Sequence, residues 1–399
     1  MPEILLTLYV FAGVIKAAMG QDATSFLDLT LLLGLLSFFT FAAKALMRGQ
    51  WIHTKPRHAD LWAIGFSIAV GLGVLYSPIE AGASSLKVLD VLVLGQVACY
   101  ALLRFIGRVS PSGMHVVRNS LGCVVAVATA FAVLAFLKSP GLALARSPGG
   151  SYLSWGYMVG VAIIACASFI VRTRSVAERV FLAVILVLLV AALVYARGRG
   201  PLLSIVGVLS ASLLFIRWIP WRRRLIAVAL LMSVLVAGVF LLPENLRSRY
   251  GRLLEEGGDD SIIARVEAYQ TAWRMFVTSP IIGHGTGSYR AYHNEYSYPH
   301  NILLETMAEN GIIGLILLLG FIGSVLAGVW RKLRGTDGRE RLLVATVGMI
   351  FLFVLIGAQF SGDLSSRSLW FTAGLATLCS GEAAKERPMD GGKRAERRA

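Results

Sequence analysis

"YPHNILLETMAENGIIGL", Tyr298 to Leu315, sets a histidine, an asparagine and two glutamates directly ahead of a run as apolar as a membrane span. Ionisable groups are costly in hydrocarbon, so their place at the mouth of such a helix needs a physical reason. The rest of the chain supplies the setting. Its 399 residues are 56% hydrophobic and only 15% charged, with a mean hydropathy of +0.69, more apolar than a soluble globular chain of this size carries. The composition specifies an all-α, polytopic membrane protein. Cys99, Cys123, Cys166 and Cys379 fall inside apolar runs without pairwise or metal-type spacing, so neither a disulfide framework nor a metal site is expected.

A bilayer core takes about 20 apolar helical residues. Twelve candidate runs lie near 3–19, 24–47, 61–76, 88–107, 115–137, 152–171, 177–195, 200–216, 224–242, 301–330, 341–360 and 364–380. The first, with no basic leader and a poor cleavage site behind it, is expected to be retained as a span. An even number puts both termini on one side. Lysines and arginines concentrate in 48–60, around 108, 175, 220 and 335, and in the C-terminal tail, whereas the short opposite loops hold only Lys87, Lys138, Arg146, Arg197, Arg199 and Arg367. The positive-inside rule then makes both termini cytoplasmic. The net charge of +15 is accordingly a topology signal and not a nucleic-acid footprint. The expected organisation is nine spans over 1–242, a helical outer loop domain over 243–300, three spans over 301–380, and a basic, lipid-attracted cytoplasmic tail over 381–399. That outer connection is far longer than an ordinary loop, and such loops commonly carry function.

Three stretches gather at the outer face in this topology. "YARGRGPLLSIVG", Tyr195 to Gly207, opens the eighth span with its helix N-terminus outward. The unpaired N–H groups and the dipole there attract anions, Pro201 suits the first turn, and Arg197 and Arg199 between glycines add two full charges, which together describe a phosphate site. The bland alternative is that these arginines merely reach for lipid headgroups. "DDSIIARVEAYQTAWRMF", Asp259 to Phe276, reads as an amphipathic helix whose apolar stripe is Ile262, Val266, Tyr269, Trp273 and Phe276, with Arg265 beside it; taken alone, Arg265 reads as an ordinary surface arginine. "SPIIGHGTGSYRAYHNEYSYPHN" is a glycine-rich irregular segment in which Tyr289, Tyr292, Tyr296 and Tyr298 suit either sugar faces or the membrane interface.

Pro299 disfavours helix at Tyr298, so the tenth span is expected to begin near His300, and its run from Ile302 to Trp330 is longer than a bilayer needs, which sets His300 at or just above the outer headgroups. His300 has an unperturbed pKa near neutrality and suits a general base, kept neutral by neighbouring cations; the alternative is a satisfied structural histidine. Glu305 and Glu309 read as capping or packing partners of outer arginines, since no metal motif accompanies them. His284 and His293 are weaker candidates, with no boundary helix behind them.

The arginine turn opening a span, the arginine in the first loop helix, the "PxxGxGxGsY"-like turn and "HNxxLExxxExGxxGL" together resemble the O-antigen ligase and polymerase superfamily, bacterial inner-membrane glycosyltransferases of the GT-C type. The likeness runs from about Arg197 to Leu315, with Gly198 where the family's arginine turn has serine. It implies that a glycan on undecaprenyl pyrophosphate is the donor, that Arg199 or Arg197 together with Arg265 holds its diphosphate, and that His300 takes the proton from the acceptor hydroxyl, with inversion and without cofactor or metal. It implies a periplasm-facing site, with the tyrosines and Asn301 as glycan or lipid contacts. The single long outer loop fits a ligase acting on lipid A-core better than a polymerase; a lipid-linked glycan transporter is the non-enzymatic alternative and would place ionisable groups at mid-membrane.

Overall fold

The structure is a computed structural model that describes residues 1–18, 28–47, 56–79, 81–138, 152–195, 198–215 and 260–380, with isolated positions between 220 and 233. The described residues form helices and turns: α1 (Pro2–Val10), α2 (Ala12–Ala18), α3 (Leu29–Met47), α4 (His58–Leu72), α5 (Ala81–Val88) continued by a π-helical segment (Leu89–Ala101) and α6 (Leu102–Val109), then α7 (Gly113–Lys138), α8 (Tyr152–Arg172), α9 (Val176–Tyr195) and α10 (Arg199–Phe215). After the undescribed connection come α11 (Asp260–Thr278), α12 (Tyr289–Tyr292), α13 (Ile302–Gly335), α14 (Gly338–Ser361) and α15 (Arg367–Cys379).

Eight helices among the described residues are long and apolar enough to cross a membrane. Large apolar side chains on their outward faces, such as Leu31, Phe39, Phe181 and Val187, stay exposed to the surroundings, which hydrocarbon satisfies and water does not. Three other expected spans are shorter helices. The first is interrupted at Phe11, the apolar part of the eighth covers Gly200–Ala211, and the twelfth is the 13-residue α15, about 20 Å long at 1.5 Å per residue and short of a hydrocarbon core. The expected ninth span, 224–242, lies almost wholly outside the described residues, as do 243–259 and the tail.

The core is built around α15 and α13. Trp370 is fully buried and packs its ring against Phe66 and Phe321. α4 and α11 pack on α13, α10 and α8 on α14, and the π-helical segment on α15. Charged residues at span ends pair: Lys16 meets Asp28 at 3.0 Å, and Arg104 meets Asp60 at 2.6 Å.

The tenth span is not one helix. Gly311 interrupts α13 with φ 61° and ψ −159°, a backbone region open essentially to glycine alone. A Cβ there would stand 2.3 Å from the Ile281 carbonyl oxygen. The glycine-rich turn fills the break and satisfies both helix ends. His284 N donates to Ala308 O at 3.0 Å and Gly285 N to Glu309 O at 2.9 Å, while Ile312 N donates to Pro280 O at 2.8 Å. The run that seemed longer than a bilayer requires is therefore a short cap helix followed by a membrane helix.

Candidate functional site

His300 sits just before the cap helix, where the sequence folds tightly for local reasons. Asn301 is the N-cap: its Oδ1 accepts from Leu303 N and Leu304 N, both at 3.0 Å, satisfying two otherwise orphan donors. Its Nδ2 donates to Gln359 O at 3.2 Å. The Asn301 amide, expected to meet glycan or lipid, is thus engaged in holding α13 to α14. Buried Pro299 precedes His300, whose φ is +58°. A non-glycine residue in this region carries strain that the surrounding packing must hold, and such residues cluster at functional sites.

His300 lines a cavity of about 480 Å³ at one end of the bundle. The walls are Tyr298 and His300, the break between α1 and α2 at Phe11, the start of α8 with Ser154 and Tyr157, the end of α14, and the turn running from Ser361 to Ser368. The imidazole meets the Tyr298 ring at 4.5 Å and the Tyr296 ring at 4.9 Å. Its Nδ1 is buried without a hydrogen-bond partner. Burial and then the nearby Arg265 charge push its pKa down to about 4, so the ring is neutral at ordinary pH and has a nitrogen able to accept a proton.

Arg265, on α11, acts electrostatically on His300, Tyr157 and Tyr269, which places it against the same end. The start of α10 reaches it too. A Cβ on Gly200 would lie 3.0 Å from the Tyr157 hydroxyl and 3.9 Å from Ser361 Oγ, and Ser361 Oγ donates to the Tyr157 oxygen at 2.9 Å. Arg199 is the first residue of that helix, so its backbone stands beside two cavity-lining residues. Arg197 lies outside the described residues.

α11 turns its small residues inward and leaves Val266 and Trp273 of its apolar stripe outward. Ala268, Thr271, Ala272 and Met275 are buried, whereas Val266 is 47% and Trp273 52% exposed; Ile262 lies among positions whose side chains are not described. Small residues allow close approach to α13 and Ala308, and the bulky residues are left for the bilayer interface. Tyr289 is fully buried in this small core and donates to Ala268 O at 3.0 Å. Tyr292 is paired with His284 Nδ1 at 3.0 Å. Of the four tyrosines, Tyr298 lines the cavity. His284 is engaged through both ring nitrogens, and His293 Nδ1 accepts from Glu295 N and Tyr296 N. Neither weaker histidine joins His300.

The two glutamates bind a lysine, not an arginine. Lys87 Nζ donates to Glu305 Oε1 at 2.5 Å and to Glu309 Oε1 at 2.8 Å, and both carboxylates are fully buried. Their other oxygens accept main-chain donors: Glu309 Oε2 from Gly287 N at 2.9 Å and Glu305 Oε2 from Leu364 N at 3.0 Å. Such a buried cluster is tolerable because each of its four carboxyl oxygens has a hydrogen-bond donor and one cation sits between the two carboxyls. It ties three segments, those of Lys87, Gly287 and Leu364, to the cap helix. Lys87 had appeared as one more cation in a short loop, since sequence spacing carries no sign of a contact across more than two hundred residues.

The described residues form a helical, multi-pass membrane protein with a cavity at one end of the bundle, walled in part by the neutral imidazole of His300. Residues 184–319, about a third of the chain, match the O-antigen ligase family model, which supports a likeness of this stretch to the O-antigen ligase and polymerase superfamily. The matched stretch spans α9, α10, α11, the glycine turn, His300 and the cap helix. No curated protein matches the chain.

Proposed function

We propose that the protein is an O-antigen ligase that transfers a glycan from undecaprenyl pyrophosphate to lipid A-core at the periplasmic face of the bacterial inner membrane. The observation that carries this reading is His300, held in left-handed backbone on the cavity wall, with a neutral ring and a buried, unpartnered nitrogen beside Arg265.

In the proposed step the acceptor hydroxyl oxygen attacks the anomeric carbon. The bond from that carbon to the diphosphate oxygen breaks with inversion, the diphosphate leaves with the electron pair, and the hydroxyl proton passes to His300. Arg265 and Arg199, with the α10 N-terminus and Arg197 ahead of it, offset the charge that develops on the leaving diphosphate, as positioned cations and helix dipoles do. Basic residues at the opposite end support the orientation: Arg118 and Arg339 lie within electrostatic reach of Arg172, which fits a cytoplasmic surface.

The test is purified protein in detergent with synthetic undecaprenyl-pyrophosphate glycan and lipid A-core. Formation of glycosylated lipid A-core supports the ligase, while glycan lengthening without lipid A-core makes the protein a polymerase using the same donor. Absence of either product from folded protein removes the enzymatic reading and favours a transporter.

A further inference from the structure

Charges of opposite sign act on the two adjacent rings of the cavity wall, His300 and Tyr298. Arg265 acts on His300, Tyr157 and Tyr269. Asp363 acts on Tyr298, Glu305 and Asp90. The Tyr298 and His300 rings stand between these two neighbourhoods.

The Asp363 side is a turn fixed by its own main chain. Leu364 N donates to the buried Glu305 at 3.0 Å, and Leu364 O accepts from Trp370 Nε1 at 2.9 Å. Held at its centre, the turn lines the cavity with Asp363, Ser365 and Ser366, and Ser368 follows on α15. Ser365 Oγ donates to Asp363 Oδ2 at 2.5 Å. Arg367, on the same wall, is held against Tyr9, donating to its carbonyl at 3.3 Å and lying 5.0 Å from its ring centre.

A carboxylate repels a diphosphate, so this half is unsuited to the leaving group. It suits a molecule rich in hydroxyls: the carboxylate accepts, the serines both donate and accept, and the Tyr298 ring offers a flat apolar face. We propose that the 361–368 turn is the acceptor half of the site and that Asp363 positions the incoming saccharide by accepting hydrogen bonds from its hydroxyls. This rests on the glycan-transfer reading above. Asp363 is a positioning residue here, and the proton of the attacking hydroxyl still goes to His300.

The experiment is steady-state transfer by the full-length protein, varying lipid A-core at saturating lipid-linked glycan and then the reverse. Asp363→Asn is expected to raise the acceptor KM by about tenfold and to leave the donor KM and the acid limb of the pH profile in place, because a neutral amide replaces a charged acceptor of the same shape. Ser365→Ala should raise the acceptor KM by about threefold. A rise in donor KM instead, or a loss confined to kcat, overturns the assignment. Melting curves check that each variant is folded; if Asp363→Asn is not, the two serine variants Ser365→Ala and Ser366→Ala decide by the same KM comparison. Wild-type protein that transfers no glycan removes the glycan-transfer reading itself, whereas active wild type with an unaltered acceptor KM in the variants removes this inference alone.

Discussion

Acidifying the transfer assay probes the environment of His300 directly. With its pKa pushed down to about 4 by burial and by Arg265, the imidazole is about 97% neutral at pH 5.5, whereas an ordinary histidine near 6.5 is about 9% neutral there. The initial rate should therefore stay within a few per cent of its plateau at pH 5.5 and fall to half near pH 4, about ten times the activity that an unperturbed base would retain. Arg265→Gln removes the cationic part of the shift and leaves burial, the larger cause, so the acid limb should move upward only part of the way towards 6.5. Stability follows the same sign. The unfolded chain takes up its proton near pH 6.5 and the folded one near 4, so this residue favours unfolding progressively as pH falls through that interval. The assay is the initial rate with saturating donor and acceptor from pH 3.5 to 8, with melting curves at each pH to separate inactivation from titration. An acid limb of the wild type at 6 or above would refute the reasoning, since it would mean that His300 is solvated or is not the base.

His300→Asn, whose side chain tolerates left-handed backbone, should leave melting unchanged and lower transfer by about 10²–10⁴-fold; near-normal transfer would remove the base. Lys87→Met leaves two buried carboxylates uncompensated and should cost about 3–5 kcal/mol, seen as a large drop in melting temperature that a further Glu305→Gln, Glu309→Gln pair partly reverses. Glu309→Gln by itself keeps a neutral Lys87–Glu305 pair and should cost about 1.5–3 kcal/mol through weaker bonds to Lys87 and Gly287; an unchanged melting temperature would count against the cluster. Gly311→Ala should destabilise by about 3 kcal/mol or more, from both a glycine-only conformation and the clash with Ile281, and limited proteolysis of the 279–288 turn reads out the loss.

How much of this was legible in the sequence depended on how local each cause was. The apolar runs gave the helices directly, because a bilayer selects on length and hydropathy one segment at a time. Pro299 and the glycines marked the start of the cap helix and the irregular turn for equally local reasons, whereas the N-cap role of Asn301 was not read from the sequence. The kink at Gly311 was not legible, since an apolar run containing one glycine reads as continuous until Pro280 and Ile281 are known to supply the missing hydrogen bonds. The stripe of α11 could not be assigned to protein or to lipid from hydrophobicity alone, and here small residues such as Ala268 and Ala272 took the protein side. Lys87 and the 361–368 turn were missed as parts of one assembly, their partners being fixed by tertiary packing. A lone buried lysine facing two glutamates one helical turn apart was the available hint.

Glu305 and Glu309 reach Leu364 and Gly287 through main-chain amides, not side chains. Any residue except proline offers that same N–H, so substitutions at Asp363, Ser365 or Ser366 can change what the cavity recognises while leaving the Leu364 anchorage untouched. Specificity is in this sense separable from architecture, and the lip of the pocket can be rewritten without rebuilding the bundle beneath it.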